Sequence, residues 1–157
     1  MLGQFGFSYV GLIYLLMLFI PNIIWGMHKP EGYDAGHESR PLLLLERIGQ
    51  VCCTCSALLF SNYNFASFSP WSAWLIVSFA LMLLYEACWI RYFKSARTLS
   101  AFYRSFGFIP VPLASLPCAA FLLLGIYGKV IWLIISALML SVGHIGIHLE
   151  HVRQLQK

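Results

Sequence analysis

The sequence predicts an all-α integral membrane protein: a bundle of five transmembrane helices with the N-terminus outside and the C-terminus in the cytoplasm. Three observations carry this reading. Of the 157 residues, 60% are hydrophobic and only 10% charged, with a mean hydropathy of +0.77, whereas a soluble domain covers its surface with about 25% charged residues. Five apolar runs approach the roughly 17 to 25 residues needed to cross a hydrocarbon core. Finally, nine of the ten Lys and Arg fall on one side of an alternating five-helix topology. The whole chain, 1–157, reads as a single polytopic membrane domain.

The first run spans about Phe5 to Gly26 and is expected to kink at Pro21. It lacks a basic leader and a small-x-small cleavage site, so it reads as a retained helix rather than a secretory signal. A polar loop follows from Met27 to Arg40. The second helix runs from about Pro41 to Phe60, and a proline in the first turn suits a helix start. The third spans about Pro70 to Tyr92. The fourth, about Pro110 to Tyr127, carries Pro110, Pro112 and Pro117, which allow a short, bent or re-entrant helix. A tight Gly128-Lys129 turn leads to the fifth, about Val130 to His151.

Cytoplasmic segments then hold Lys29, Arg40, Arg47, Arg91, Lys94, Arg97, Arg104, Arg153 and Lys157, against Lys129 alone outside. This is the positive-inside bias. Trp71, Trp74 and Trp132 fall at outer ends and Trp25 and Trp89 at inner ends, as in an aromatic belt. Between the third and fourth helices, Ala96, Leu99, Phe102, Tyr103 and Phe106 share one helical face, with Arg97 and Arg104 on another. That pattern predicts an interfacial amphipathic helix on anionic inner-leaflet lipids. The net charge of +4 reflects loop bias; without a continuous basic stripe it indicates no nucleic-acid partner. Cys52, Cys53, Cys55, Cys88 and Cys118 all lie in apolar runs and form no disulfide framework or paired CxxC motif; they read as small packing residues.

The polar residues inside the runs are the candidate site. On the second helix Glu46, Gly49, Gln50, Cys53 and Ala57 fall in one sector, a small-and-polar stripe of the kind that faces other helices. On the first, Gln4, Gly11 and Asn22 share a sector, and the third contributes Glu86. On the fifth, His148 and His151 lie within about 40° and 20° of His144, so the three imidazoles share a face. Such a face can supply adjacent metal ligands, with Glu46 or Glu86 as a fourth, or can relay protons. It can equally join helices by hydrogen bonds to those carboxylates. The pattern is not that of a zinc protease, whose glutamate base follows the first histidine; here position 145 is Ile.

Glu46-Arg47 superficially resembles the acidic-arginine pair of small eicosanoid- and glutathione-using membrane enzymes, but Ile48-Gly49-Gln50 departs from that family's continuation. Glu86, Arg91 and His144-x-x-x-His148 are similar in kind to the intramembrane prenyl-peptidase group, which differs in having two adjacent glutamates. No Arg-His-Pro motif of isoprenylcysteine methyltransferases occurs. No functional residue is transferred from these families.

The functional expectation is a cytoplasm-facing polar pocket, lined by Asn22, Glu46, Gln50, Glu86, His144 and His148, that binds or moves a small or lipid-like ligand. One alternative is a membrane-embedded enzyme acting on a lipid or small substrate, with a transition metal held by His144, His148 and His151. Another is a structural subunit of a larger membrane complex or homo-oligomer. In a bacterium the expected location is the plasma (inner) membrane.

Overall fold

The computed structural model describes residues 2–34, 36 and 38–156; Lys157, counted above with the cytoplasmic charges, lies outside the described residues. The chain is helical throughout, with no strand among the described residues. Its helices are α1 (Tyr9–Met27), α2 (Arg40–Leu59), α3 (Ala73–Phe93), α4 (Leu99–Phe102), α5 (Pro112–Gly128) and α6 (Ile131–Leu155). Four helical segments, Tyr9–Met27, Arg40–Leu59, Pro70–Phe93 and Ile131–Leu155, are long and apolar enough to cross a membrane. The fifth apolar helix, α5, has 17 residues, about 25 Å against a hydrocarbon core of about 30 Å.

Local chemistry sets the helix ends. The first helix begins later than the apolar run suggests, at Tyr9, because Ser8 caps it by accepting from the Gly11 amide. Gln4 therefore leaves the expected helical sector. Residues 4–8 run instead along the end of α2, with Gly6 N donating to Leu59 O and Ser8 N to Leu58 O. Asn64 ties this segment down: its Oδ1 accepts from Tyr9 N, and its Nδ2 donates to Phe7 O. At the α5–α6 turn, Lys129 adopts a left-handed φ of 54°. Its amide donates to Ile126 O and that of Val130 to Gly125 O, the paired bonds of a Schellman cap.

The helices close a ring in the order α1, α2, α6, α5, α3, with α2 against α6 the most extensive pair and α1 the most lightly held. The short α5 is the most enclosed helix, with Ala114, Ala120, Phe121 and Leu124 essentially inaccessible. The loop after α3 departs from the interfacial helix expected of it. Only Leu99–Phe102 is helical, capped by Thr98 and preceded by Arg97 at φ 54°. Phe102 and Tyr103 are buried while Ala96 and Phe106 stay exposed. Phe102 packs on Trp25 of α1 (4.9 Å between centroids), Trp89 and Tyr92 of α3 (5.9 and 5.5 Å) and His148 of α6 (5.6 Å). The aromatic half of the loop thus plugs the bundle end that carries eight of the nine predicted cytoplasmic charges.

The α2–α6 seam depends on two glycines. A Cβ built on Gly49 would lie 2.6 Å from the backbone nitrogen of Leu140, and one on Gly143 would strike the Glu46 backbone. Close backbone approach through small residues is how helices associate where lipid removes the hydrophobic drive. Gly143→Ala and Gly49→Ala should each lower unfolding stability in detergent by about 1 to 3 kcal/mol, the cost of overpacking. Gly26→Ala, which meets open space, should cause no such loss in the same denaturation assay.

Candidate functional site

The seam carries a half-buried carboxylate–imidazole pair. Glu46, directly after the leucine run that opens α2, meets His144 near the middle of α6. Glu46 Oε1 lies 2.5 Å from His144 Nδ1, with side-chain exposures of 17% and 23%. The carboxylate holds Nδ1 and leaves Nε2 with no hydrogen bond among the described residues. His148 stacks a turn further on, its ring 4.5 Å from that of His144.

His144 also faces a cavity of about 100 Å³ between α1, α2, α5 and α6. Asn22 and Gln50 line it, as do Leu18, Phe19, Pro117, Cys118, Phe121 and Leu140. Asn22 is fixed by its amide nitrogen, which donates to Leu18 O and to Tyr85 Oη, each at 2.7 Å. Gln50 makes no side-chain hydrogen bond among the described residues. Five of the six expected pocket residues are thus brought together: Asn22, Gln50 and His144 on the cavity, with Glu46 and His148 attached through His144.

Glu86 is not with them. It lines a separate groove of about 280 Å³ between α1 and α3 with Ile13, Leu16, Met17, Ile20 and Pro21. Its Oε1 is buried and without a hydrogen-bond partner. The step of about 100° between adjacent residues of α3 explains the separation, since Tyr85, its neighbour, takes the inward direction and reaches Asn22.

The third histidine belongs to the plugged end. His151 Nε2 lies 3.1 Å from Glu38 Oε1, and its ring stacks on Tyr33 (5.4 Å) and Tyr103 (5.6 Å). Tyr33 itself donates to Glu38 at 3.4 Å. Burial first, then the Glu38 charge, pushes the Tyr33 phenol up to about 12, so it stays a donor at any physiological pH. Ser39 N donates to Glu150 Oε2, and Lys29 lies over the Trp25 and Tyr33 rings. Together these contacts clamp the α1–α2 loop onto the end of α6. Among the described residues no three His, Cys, Asp or Glu side chains are grouped to hold a metal ion; His144 and His151 turn to different carboxylates.

Sequence reasoning missed Tyr85, which positions Asn22, and Glu38, which takes His151. It also missed the α5 wall of the cavity. Cys118 beside Pro117 looked like apolar filler, and no periodic signal marks a helix that is apolar on every side. No protein-family model, no curated protein and no solved structure matches this chain.

Removing one partner of the Glu46–His144 pair strands the other in an apolar setting. Glu46→Ala should cost about 1 to 3 kcal/mol of unfolding stability, the penalty for an unsatisfied buried group. Glu46→Gln, which retains an acceptor, should cost less, and Arg47→Ala at an exposed position should cost least. Equal melting temperatures for the three variants would show that the pair contributes nothing to the fold.

Proposed function

We propose that the protein is a multi-pass membrane protein, N-terminus outside and C-terminus cytoplasmic, that binds a small or lipid-like ligand in the cavity lined by Asn22, Gln50 and His144. The observation that carries this is the hydrogen-bond balance of that cavity. Three helices each supply a polar side chain to one partly enclosed space, and each keeps a hydrogen-bonding atom without a partner among the described residues. In a bilayer such atoms find no water from the lipid and are costly to leave unpaired. Polar groups inside a membrane bundle mark functional sites by default.

Orientation rests on the charge bias. Counting α5 as the fifth span rests on its apolar length together with its place between α3 and α6. Asn22 lies in the half of α1 that leads into the loop carrying Lys29 and Arg40, which supports a cavity nearer the cytoplasm than the Lys129 end.

The Glu46–His144 pair favours a second reading. An imidazole held at Nδ1 by a carboxylate presents Nε2 as a general base, which would make the protein an enzyme acting on the same ligand. The two readings part on turnover: a binding protein returns its co-purified ligand chemically unchanged after incubation, whereas an enzyme converts it.

Native mass spectrometry of the protein in lipid nanodiscs tests the binding reading. The wild type should carry an adduct of defined mass. Gln50→Leu should reduce its occupancy about tenfold at an unchanged melting temperature, close to the worth of one hydrogen bond, ~1.4 kcal/mol. An adduct held equally by Gln50→Leu and His144→Phe, or no adduct at all, would overturn it.

A further inference from the structure

The geometry points to a ligand class: we propose that the cavity takes the uncharged, hydroxyl-bearing head of a single-chain amphiphile that enters sideways from the bilayer between α1 and α2. This rests on reading the cavity as a ligand site.

The path comes first. Helices α1 and α2 meet tightly at one end, where a Cβ on Gly11 would strike the Ala57 carbonyl. Further along they part. A groove of about 290 Å³ runs between them, lined by Phe19, Gln50, Val51, Thr54 and Cys55. Phe19 and Gln50 also line the inner cavity, so they form the junction between a lipid-side groove and the polar interior. Phe19, Gln50, Val51 and Cys55 are all exposed on the bundle surface. A chain lying in this groove would carry its head to Asn22 and His144 without crossing water.

Hydrogen-bond accounting then selects the head. The Leu18 carbonyl can only accept, which fixes the Asn22 nitrogen toward it, and the second amide hydrogen goes to Tyr85. Only Oδ1 of Asn22 is left, and it is purely an acceptor. The Gln50 amide offers both a donor and an acceptor. A head that satisfies both residues must therefore donate and accept, as a hydroxyl does. A carbonyl-only head, such as a ketone or a quinone, would leave Asn22 Oδ1 unpaired.

Charge excludes the ionic alternatives. No Lys or Arg lines the cavity, and the carboxylate beside it, Glu46, is already engaged by His144 Nδ1. A carboxylate head would enter with no cation to pair with, and an ammonium head would have to displace His144 from Glu46, so an apolar interior disfavours both. Size agrees as well. A space of about 100 Å³ equals about three waters at their share of liquid volume, enough for a hydroxymethyl group or a short polyol but too small for a phosphodiester head.

The test is photolabelling of the full-length protein in phosphatidylcholine vesicles. Three probes share one mid-chain diazirine hexadecyl tail and differ in the head: alcohol, carboxylic acid and primary amine. The alcohol should label peptides containing Phe19 and Val51 at least tenfold more than either ionic probe. Thr54→Trp, which fills the groove and leaves the polar cavity intact, should abolish that labelling without shifting the melting temperature. Asn22→Leu should weaken alcohol labelling about tenfold, and an alcohol preference that survives Asn22→Leu would refute the hydrogen-bond assignment. Equal labelling by all heads, preference for the acid or amine, or labelling that persists in Thr54→Trp would overturn the proposal. If Thr54→Trp still carries the adduct seen by native mass spectrometry, lateral entry fails while ligand binding stands. If Gln50→Leu keeps that adduct undiminished, the binding reading itself fails.

Discussion

The backbone of α2 runs close enough to α6 that Gly143 faces the Glu46 peptide and Gly49 faces that of Leu140, and the polar interior follows from that approach. With any larger residue at either position the helices would stand further apart, and Glu46 could no longer meet His144. The glycines accept an entropic cost within a helix of about 0.5 to 1 kcal/mol each relative to alanine. In return the seam gains backbone proximity and a carboxylate–imidazole bond inside a low-dielectric medium, where such bonds are strong once both partners are satisfied.

That bond shapes the electrostatics of the cavity beside it. His144 engages the Glu46 carboxylate and no Lys or Arg lines the space, so it offers hydrogen bonds but no cation to hold an anion. Asn22 is held from behind by Leu18 and Tyr85, and Gln50 has no side-chain hydrogen bond among the described residues. The result is a small, uncharged, donor-and-acceptor surface walled by Phe19, Pro117, Phe121 and Leu140.

The basic end of the bundle follows a different logic. There the aromatic rings of Trp25, Trp89, Tyr92, Phe102 and Tyr103 pack as one cluster, and His151 with Glu38 fastens the α1–α2 loop over it. Offset and edge-to-face rings add about 0.5 to 1.5 kcal/mol per pair beyond buried area, and they do so in lipid as well as in water. The plug explains why His148 and His151 share a helical face with His144 yet take different partners: one face of a 25-residue helix passes from the polar seam into the aromatic cluster within two turns.

By itself the sequence determined the helical class, the apolar segments and the side on which charge accumulates, because these depend on hydropathy and length alone. It also singled out Asn22, Glu46, Gln50, His144 and His148, since polar residues on helical faces are conspicuous against an apolar background. Only the tertiary structure decided which of them meet. Glu46 and Glu86 look alike in the sequence, as do His144 and His151, yet rotation of a helix by one residue is about 100°. That rotation sends Tyr85 inward and Glu86 into an outer groove. Likewise the apolar face of the loop after α3 could cover lipid or the bundle end; it was the rings of Trp25 and Trp89 at that end, on which Phe102 packs, that drew it inward. Periodicity along one segment defines a face, and the neighbour that face turns toward is set by packing among segments far apart in the chain.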